Sequence, residues 1–253
     1  MQLLFAQKIK GIGINTLAFK YTIRRSQRAK KTRIIVTSDK IEVVAPLLVS
    51  IRKIHAFVHA QQDWIVAATD KIEFKNQNIK KLGPENYIEG VAVPFHGQQV
   101  KISLADSLSK EVQVKFNAQT FKIYLPTEKL EGDSSEFVRL ALTEWMKDQA
   151  LKEVEGLVEF YAQKYNLHPR HIKIKTQKSR WGSCGIHNDI NINWLLILAP
   201  PEVMEYVVVH ELCHIKERNH SARFWQLVEA HLPDYKKQRN WLKLNGSCLM
   251  QGL

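Results

Sequence analysis

His210-Glu211-Leu212-Cys213-His214 is the stretch on which the reading of this chain turns. It is an H-E-x-x-H pattern, and the residues around it keep a helical period. Met204, Val208, Leu212 and Ile215 form one apolar stripe, and Val203, Val207, His210 and His214 form the next. Two histidines four residues apart lie about 40° apart around a helix and one turn along it, so both imidazoles reach one metal ion. The stripes put them at the edge of a buried face, where the floor of a cleft would lie. Pro200-Pro201 opens the helix at its first turn, and the pattern predicts that it runs to about residue 217.

A catalytic zinc takes three protein ligands and keeps a fourth position open for water. His220 is the natural third ligand, and three imidazoles make Zn2+ the expected cofactor. The spacing of His210, His214 and His220 equals that of the metzincins, in which a glycine in the intervening turn swings the third histidine back. Glu217 stands at that position here. The reversal is therefore expected at Arg218-Asn219, with Asn219 left-handed, and Ser221 or Asn219 is expected to cap the following helix. Glu211 is expected not to ligate but to accept a proton from water and deliver it to the leaving group.

Other candidates cluster just upstream. Ile190 to Trp194 alternates as a strand that an extended peptide could pair with, although any half-buried strand alternates in this way. That reading nominates Asn191 and Asn193 as substrate-binding residues, joined by Arg180 from Arg180-Trp181-Gly182-Ser183-Cys184. Tyr206, Arg180, His187 and Tyr235 are equal candidates for stabilising an oxyanion. Trp181, Cys184 and Cys213 read as core, and His168, His171 and His231 as surface or capping histidines.

Further outward, the first half reads as strands. Thr32 to Thr37 and Lys40 to Ala45 are β-branched runs joined by a hairpin at Ser38-Asp39. A helix is expected over 50–68, a polar loop over 71–90, and strands over 91–95, 99–104 and 111–125, the last turning at Asn117-Ala118. The second half is mostly helical: 134 to about 165, then strands at 171–176 and 190–194, then the helix at Pro200-Pro201. Two more helices are expected, Ser221 to His231 and Pro233 to Leu244, the last stopped by Asn245-Gly246. The class is α+β, with a β-rich region over 1–133 and a helical catalytic part with a small sheet over 134–253.

The 253 residues include 45% apolar ones, which excludes a disordered chain. No apolar run approaches the ~20 residues that span a bilayer, and the apolar stretch at Met1 to Ala6 is too short for a secretory signal. Three cysteines without a C-x-x-C pair argue against a disulfide framework, so a reducing, cytoplasmic setting is expected. The net charge is +12, and nine Lys/Arg with no acidic residue precede Asp39. Arg24, Arg25 and Arg28 lie in that segment and are the candidates for binding nucleic-acid phosphates; a solvated basic turn explains the same run.

Taken together, Lys178 to Cys184, Ile192 to Trp194, Ala199-Pro200, Tyr206 to His214, Asn219 to Ser221, Phe224-Trp225 and Pro233 to Tyr235 resemble the YgjP-like family of zinc metallopeptidases. Arg25 to Lys30, Pro46 and Trp64 extend the likeness into the first half. The resemblance implies a zincin-like catalytic part, His210, His214 and His220 as ligands, Glu211 as the acid/base, and a peptide or protein substrate. Two other functions share the same residues. A metal-dependent phosphohydrolase acting on nucleotides would differ in having lysines and arginines along its cleft, and a nucleic-acid-associated metalloprotein would use the segment Lys20 to Arg33.

Overall fold

The computed structural model describes residues 17, 19–37, 39–77, 81–130 and 133–253. The chain is α+β and divides into two compact units, Met1–Ile79 and Lys80–Leu253.

In the first unit, β3 (Ile41–Ala45) is the central strand, parallel to β1 (Thr22–Arg25) and antiparallel to β2 (Arg33–Val36). The expected hairpin forms between β2 and β3. Ile41, Val43 and Ala45 pack against Ile54 and Val58 of α1 (Ile51–Ala60) and Ile65 of α2 (Gln62–Gln77). The single helix expected here is two helices meeting at Gln61, and the second runs to Gln77, well into the expected loop. An outlying turn with little buried surface carries no apolar period, so pattern reading passes over it. Two of the arginines nominated for nucleic acid are engaged within the unit. Arg24 pairs with Glu42 at 3.1 Å, and Arg25 donates to the carbonyls of Pro46 (2.9 Å) and Val49. Arg28 is exposed. The basic run is thus partly explained by how β1 is fastened to the turn after β3.

The second unit opens with a four-stranded sheet. Its strands β4 (Ala92–Phe95), β5 (Gln98–Ser107), β6 (Gln113–Phe116) and β7 (Thr120–Pro126) lie in the order β4-β5-β7-β6, with β5 and β7 parallel. The turn expected at Asn117-Ala118 is present: Ala118 is left-handed (φ 69°) and the Asn117 side chain accepts from the Thr120 amide at 2.9 Å. After the short α3 (Thr127–Leu130), α4 (Ser135–Tyr165) buries Val138, Leu142, Met146, Ala150, Val154 and Val158, a strict step of four along one face. Trp145 of α4 meets Phe95 and Phe121 of the sheet at 5.6 and 5.2 Å between ring centroids. The boundary expected at 133/134 therefore falls inside one continuous core, which joins the sheet to the helices that follow. The division lies after Ile79 instead.

A second small sheet has the order β8-β10-β9, formed by β8 (His171–Lys175), β9 (Gly182–Cys184) and β10 (Asp189–Asn193). A 3-10 turn, Trp194–Leu198, leads into α5 (Pro201–Cys213). The aliphatic members of both expected stripes that lie within α5 (Met204, Val208 and Leu212; Val203 and Val207) are buried, and so are Tyr206, Val209, Glu211 and Cys213 between them. His210 is half-buried, and His214 and Ile215, also half-buried, lie past the helix end. This helix has almost no wet face. It ends at Cys213 rather than near 217, with His214 as its C-cap. Then come α6 (Ala222–His231), capped by Ser221 as expected, and α7 (Tyr235–Leu249). The expected stop at Asn245-Gly246 does not occur. Gly246 is buried inside α7, where an added Cβ would lie 3.3 Å from the Trp181 ring, so the glycine admits an aromatic neighbour rather than ending the helix. Among the described residues no helix is long and apolar enough to cross a membrane.

Candidate active site

His210 on α5, His214 at its cap and His220 beyond it turn their Nε2 atoms to one point. His220 Nε2 lies 2.9 Å from that of His210 and 3.2 Å from that of His214, and the three donor atoms all lie within 4.8 Å of one another. A tetrahedral zinc with Zn–N bonds of about 2.05 Å has N···N edges of about 3.3 Å, so the cluster fits such an ion. The protonation pattern fits as well. His214 Nδ1 donates to the Glu217 carbonyl at 2.9 Å, which leaves the lone pair on Nε2. Burial, with His214 and His220 beside it, pushes His210 down to about 3, and burial lowers His214 too. Both shifts favour neutral rings at His210 and His214, as ligation requires.

The third histidine is delivered without a left-handed residue, contrary to the expectation for Asn219. The Glu217 amide closes on the Cys213 carbonyl at 3.0 Å, ending the helix, and the Ser221 amide closes on the Asn219 carbonyl at 2.8 Å. That three-residue turn centred on His220 makes the reversal. Aromatic packing then holds the ring: His220 stacks on Trp225 (5.7 Å, 23°), and Trp225 stacks on Tyr235 (5.5 Å, 16°).

Glu211 is 5% exposed and lies against β9. A Cβ on Gly182 would stand 2.6 Å from Glu211 Oε1, so the strand accommodates the carboxylate only because residue 182 is glycine. Burial pushes the Glu211 carboxyl up to about 8, opposed by the Cys184 backbone amide that donates to it and by the charge of Arg180.

A cleft of about 620 Å³ is lined by the three histidines, Glu211, residues 179–184 and part of α7. Arg180 and Tyr206 line it; His187 and Tyr235 do not. Asn191 and Asn193 are also absent from its walls, which corrects the substrate-binding reading of both. β10 is the middle strand of its sheet, so its backbone is paired on both sides. Asn191 donates to Ser183 Oγ at 3.2 Å, and the fully buried Asn193 donates to the carbonyls of Gln177 and Arg180 at 2.8 and 3.0 Å. The strand that borders the cleft is β9. His231 is another correction: both of its ring nitrogens are buried, and it stacks on Tyr165 at 3.7 Å. Gly182, the Cys184 amide and Trp225 went unassigned in the sequence because their roles are contacts between distant segments. The quoted motifs 178–184 and 224–225 were the only signal.

The family model of the YgjP-like metallopeptidase domain matches residues 30–245. The chain belongs to this family. As a YgjP-like protein it is a metallohydrolase of the metallopeptidase kind. Two solved structures are similar to part of it. One is the metallopeptidase zymogen abylysin of Pyrococcus abyssi, at 23% identity and a TM-score of 0.34, covering 36% of this chain and 93% of that one. The other is the metallopeptidase zymogen jannalysin of Methanocaldococcus jannaschii, at 20% identity and a TM-score of 0.31, covering 39% and 95%. No curated protein matches the chain.

Proposed function

We propose that this YgjP-like chain is a zinc metallopeptidase in which His210, His214 and His220 hold the metal and Glu211 handles the proton. The observation that carries the reading is the convergence of three Nε2 atoms beside a buried carboxylate in one cleft. Bound zinc supplies a Lewis acid and lowers the pKa of water to about 7. A cation held by the three histidines would favour the ionised form of the Glu211 carboxyl, offsetting the burial that raises it, so that Glu211 takes a proton from the attacking water and passes it to the leaving nitrogen. Tyr206 and Arg180 are the two oxyanion candidates that reach the cleft. Burial pushes the Tyr206 hydroxyl up to about 12, which keeps it a donor at neutral pH. An extended substrate would lie along β9 rather than β10. With three cysteines and no disulfide, a reducing cytoplasm suits the chain.

The test is Glu211→Gln in zinc-loaded protein offered a peptide library. Zinc content by native mass spectrometry stays at the wild-type level while hydrolysis falls by at least about 10²-fold. Retained turnover would refute the role of Glu211, and protein that takes up no zinc would refute the site.

One observation favours a second reading. Arg180, Arg218, Arg239 and Lys243 line the cleft, the feature expected of a phosphohydrolase acting on nucleotides. A nucleotide panel beside the peptide library, with Glu211→Gln as the blank, separates the two. Nothing supports nucleic acid as a partner once Arg24 and Arg25 are accounted for by the first unit.

A further inference from the structure

Four cations line the cleft against one carboxylate, Glu211, which is buried at its floor. They are not equivalent. Arg218 is occupied: it donates to the Gly185 carbonyl at 2.8 Å and to the Asn188 side chain. Arg180, Arg239 and Lys243 are exposed, and none has an acidic group at ion-pair distance among the described residues. Arg180 acts on Glu211 only at longer range. The acids nearest in sequence to the start of α7 are already taken, Asp234 by Lys237 at 2.9 Å and Glu229 by Lys236 at 2.8 Å.

Arg239 and Lys243 stand four residues apart on α7 and so share one face of it. The Arg239 guanidinium carbon lies 4.3 Å from the Trp225 ring centroid. A guanidinium supported on an aromatic face keeps its N–H donors free for a planar oxyanion. Trp225 thus steadies a cation on the same wall where it stacks against His220. Three uncompensated cations around a small cleft repel one another, and a divalent metal would add to that repulsion. An anionic group in the cleft relieves it.

We propose that Arg180, Arg239 and Lys243 form an anion-recognition rim, and that the substrate carries an oxyanion, carboxylate or phosphate, next to the bond that is cleaved. This rests on the hydrolytic reading above for the word substrate; the rim itself is testable without turnover.

The test therefore begins with metal-free full-length protein titrated with inorganic pyrophosphate and, separately, with a short peptide of glutamates. At least one of the two binds, and the affinity falls about tenfold in Lys243→Gln and about tenfold in Arg180→Gln. Arg239→Lys, which keeps the charge, retains more affinity than Arg239→Gln, with circular dichroism checking that each variant is folded. Equal affinity in wild type and all neutral variants, or no binding of either probe by wild type, overturns the rim. Turnover of zinc-loaded protein then identifies the source of the charge. Peptides with acidic side chains or a free terminal carboxylate preferred over neutral, amidated ones indicate carboxylate, and nucleoside phosphates hydrolysed in their place indicate phosphate. Neutral peptides cleaved as well as charged ones would overturn the proposal even if zinc and Glu211 behave as expected. No turnover with intact anion binding would count against the hydrolytic reading alone.

Discussion

A methyl group on residue 182 would stand 2.6 Å from Glu211 Oε1, 2.7 Å from its Cγ and 2.9 Å from its Cδ. The whole end of the side chain would have to move, in a place where Glu211 is 5% exposed and has little room. Gly182→Ala is therefore expected to separate two properties that most core substitutions change together. Metal uptake stays intact, because the three atoms nearest to that methyl all belong to Glu211, while hydrolysis falls by about 10²-fold, the usual penalty for a catalytic group misplaced by about 1 Å. Zinc content and initial rates on the same preparation check it. Equal rates in Gly182→Ala and wild type would mean that the position of Glu211 has no bearing on the chemistry.

Among the elements, the β9–β10 hairpin and the reversal after α5 act together through Arg218. That residue lies between His214 and His220, and its guanidinium grips the Gly185 carbonyl and the side chain of the left-handed Asn188 (φ 64°). Arg218→Ala should loosen the reversal and weaken zinc binding by about 10- to 100-fold, the range seen when support behind a ligand is lost. Competition with a chelator measures this, and unchanged affinity would show that the turn holds its shape unaided. The same elements show what was legible beforehand. Both prolines at the start of α5 and the serine cap of α6 act locally, so they could be read from sequence. The central place of β10 could not, since its alternation is the same whether a strand lies in the middle or at the edge. Gly246 misled for the same reason: only the Trp181 ring, far away in sequence, explains a glycine inside α7. The three histidines were legible because H-E-x-x-H is local geometry, whereas the residues that support them are assembled by the fold.

At the scale of the molecule, each unit has its own buried apolar cluster, and the three histidines pack on the edge of one of them, against Phe224, rather than holding it together. Removing the metal should accordingly leave the chain folded, unlike small domains built around zinc. Zinc at about a thousand times its dissociation constant adds about 4 kcal/mol, read as a rise of several degrees in the unfolding temperature over chelator-treated protein. Far-UV circular dichroism of the metal-free chain should match that of the loaded one; loss of its helical signal on chelation would show that the metal is part of the core.

Helix α5, buried on nearly every side, carries a consequence for how this scaffold can diversify. Large-to-small changes along it cost about 2–5 kcal/mol, a large part of the stability of any domain. Arg180, Arg239 and Lys243 stand on exposed positions, where substitutions ordinarily shift stability by no more than about 0.5 kcal/mol. The floor of the cleft is thus costly to alter and its rim is nearly free to drift. Selection for a new substrate has an inexpensive route through Arg239 and Lys243 while the reaction underneath stays the same, and a library restricted to those two positions is the natural place to begin redesign.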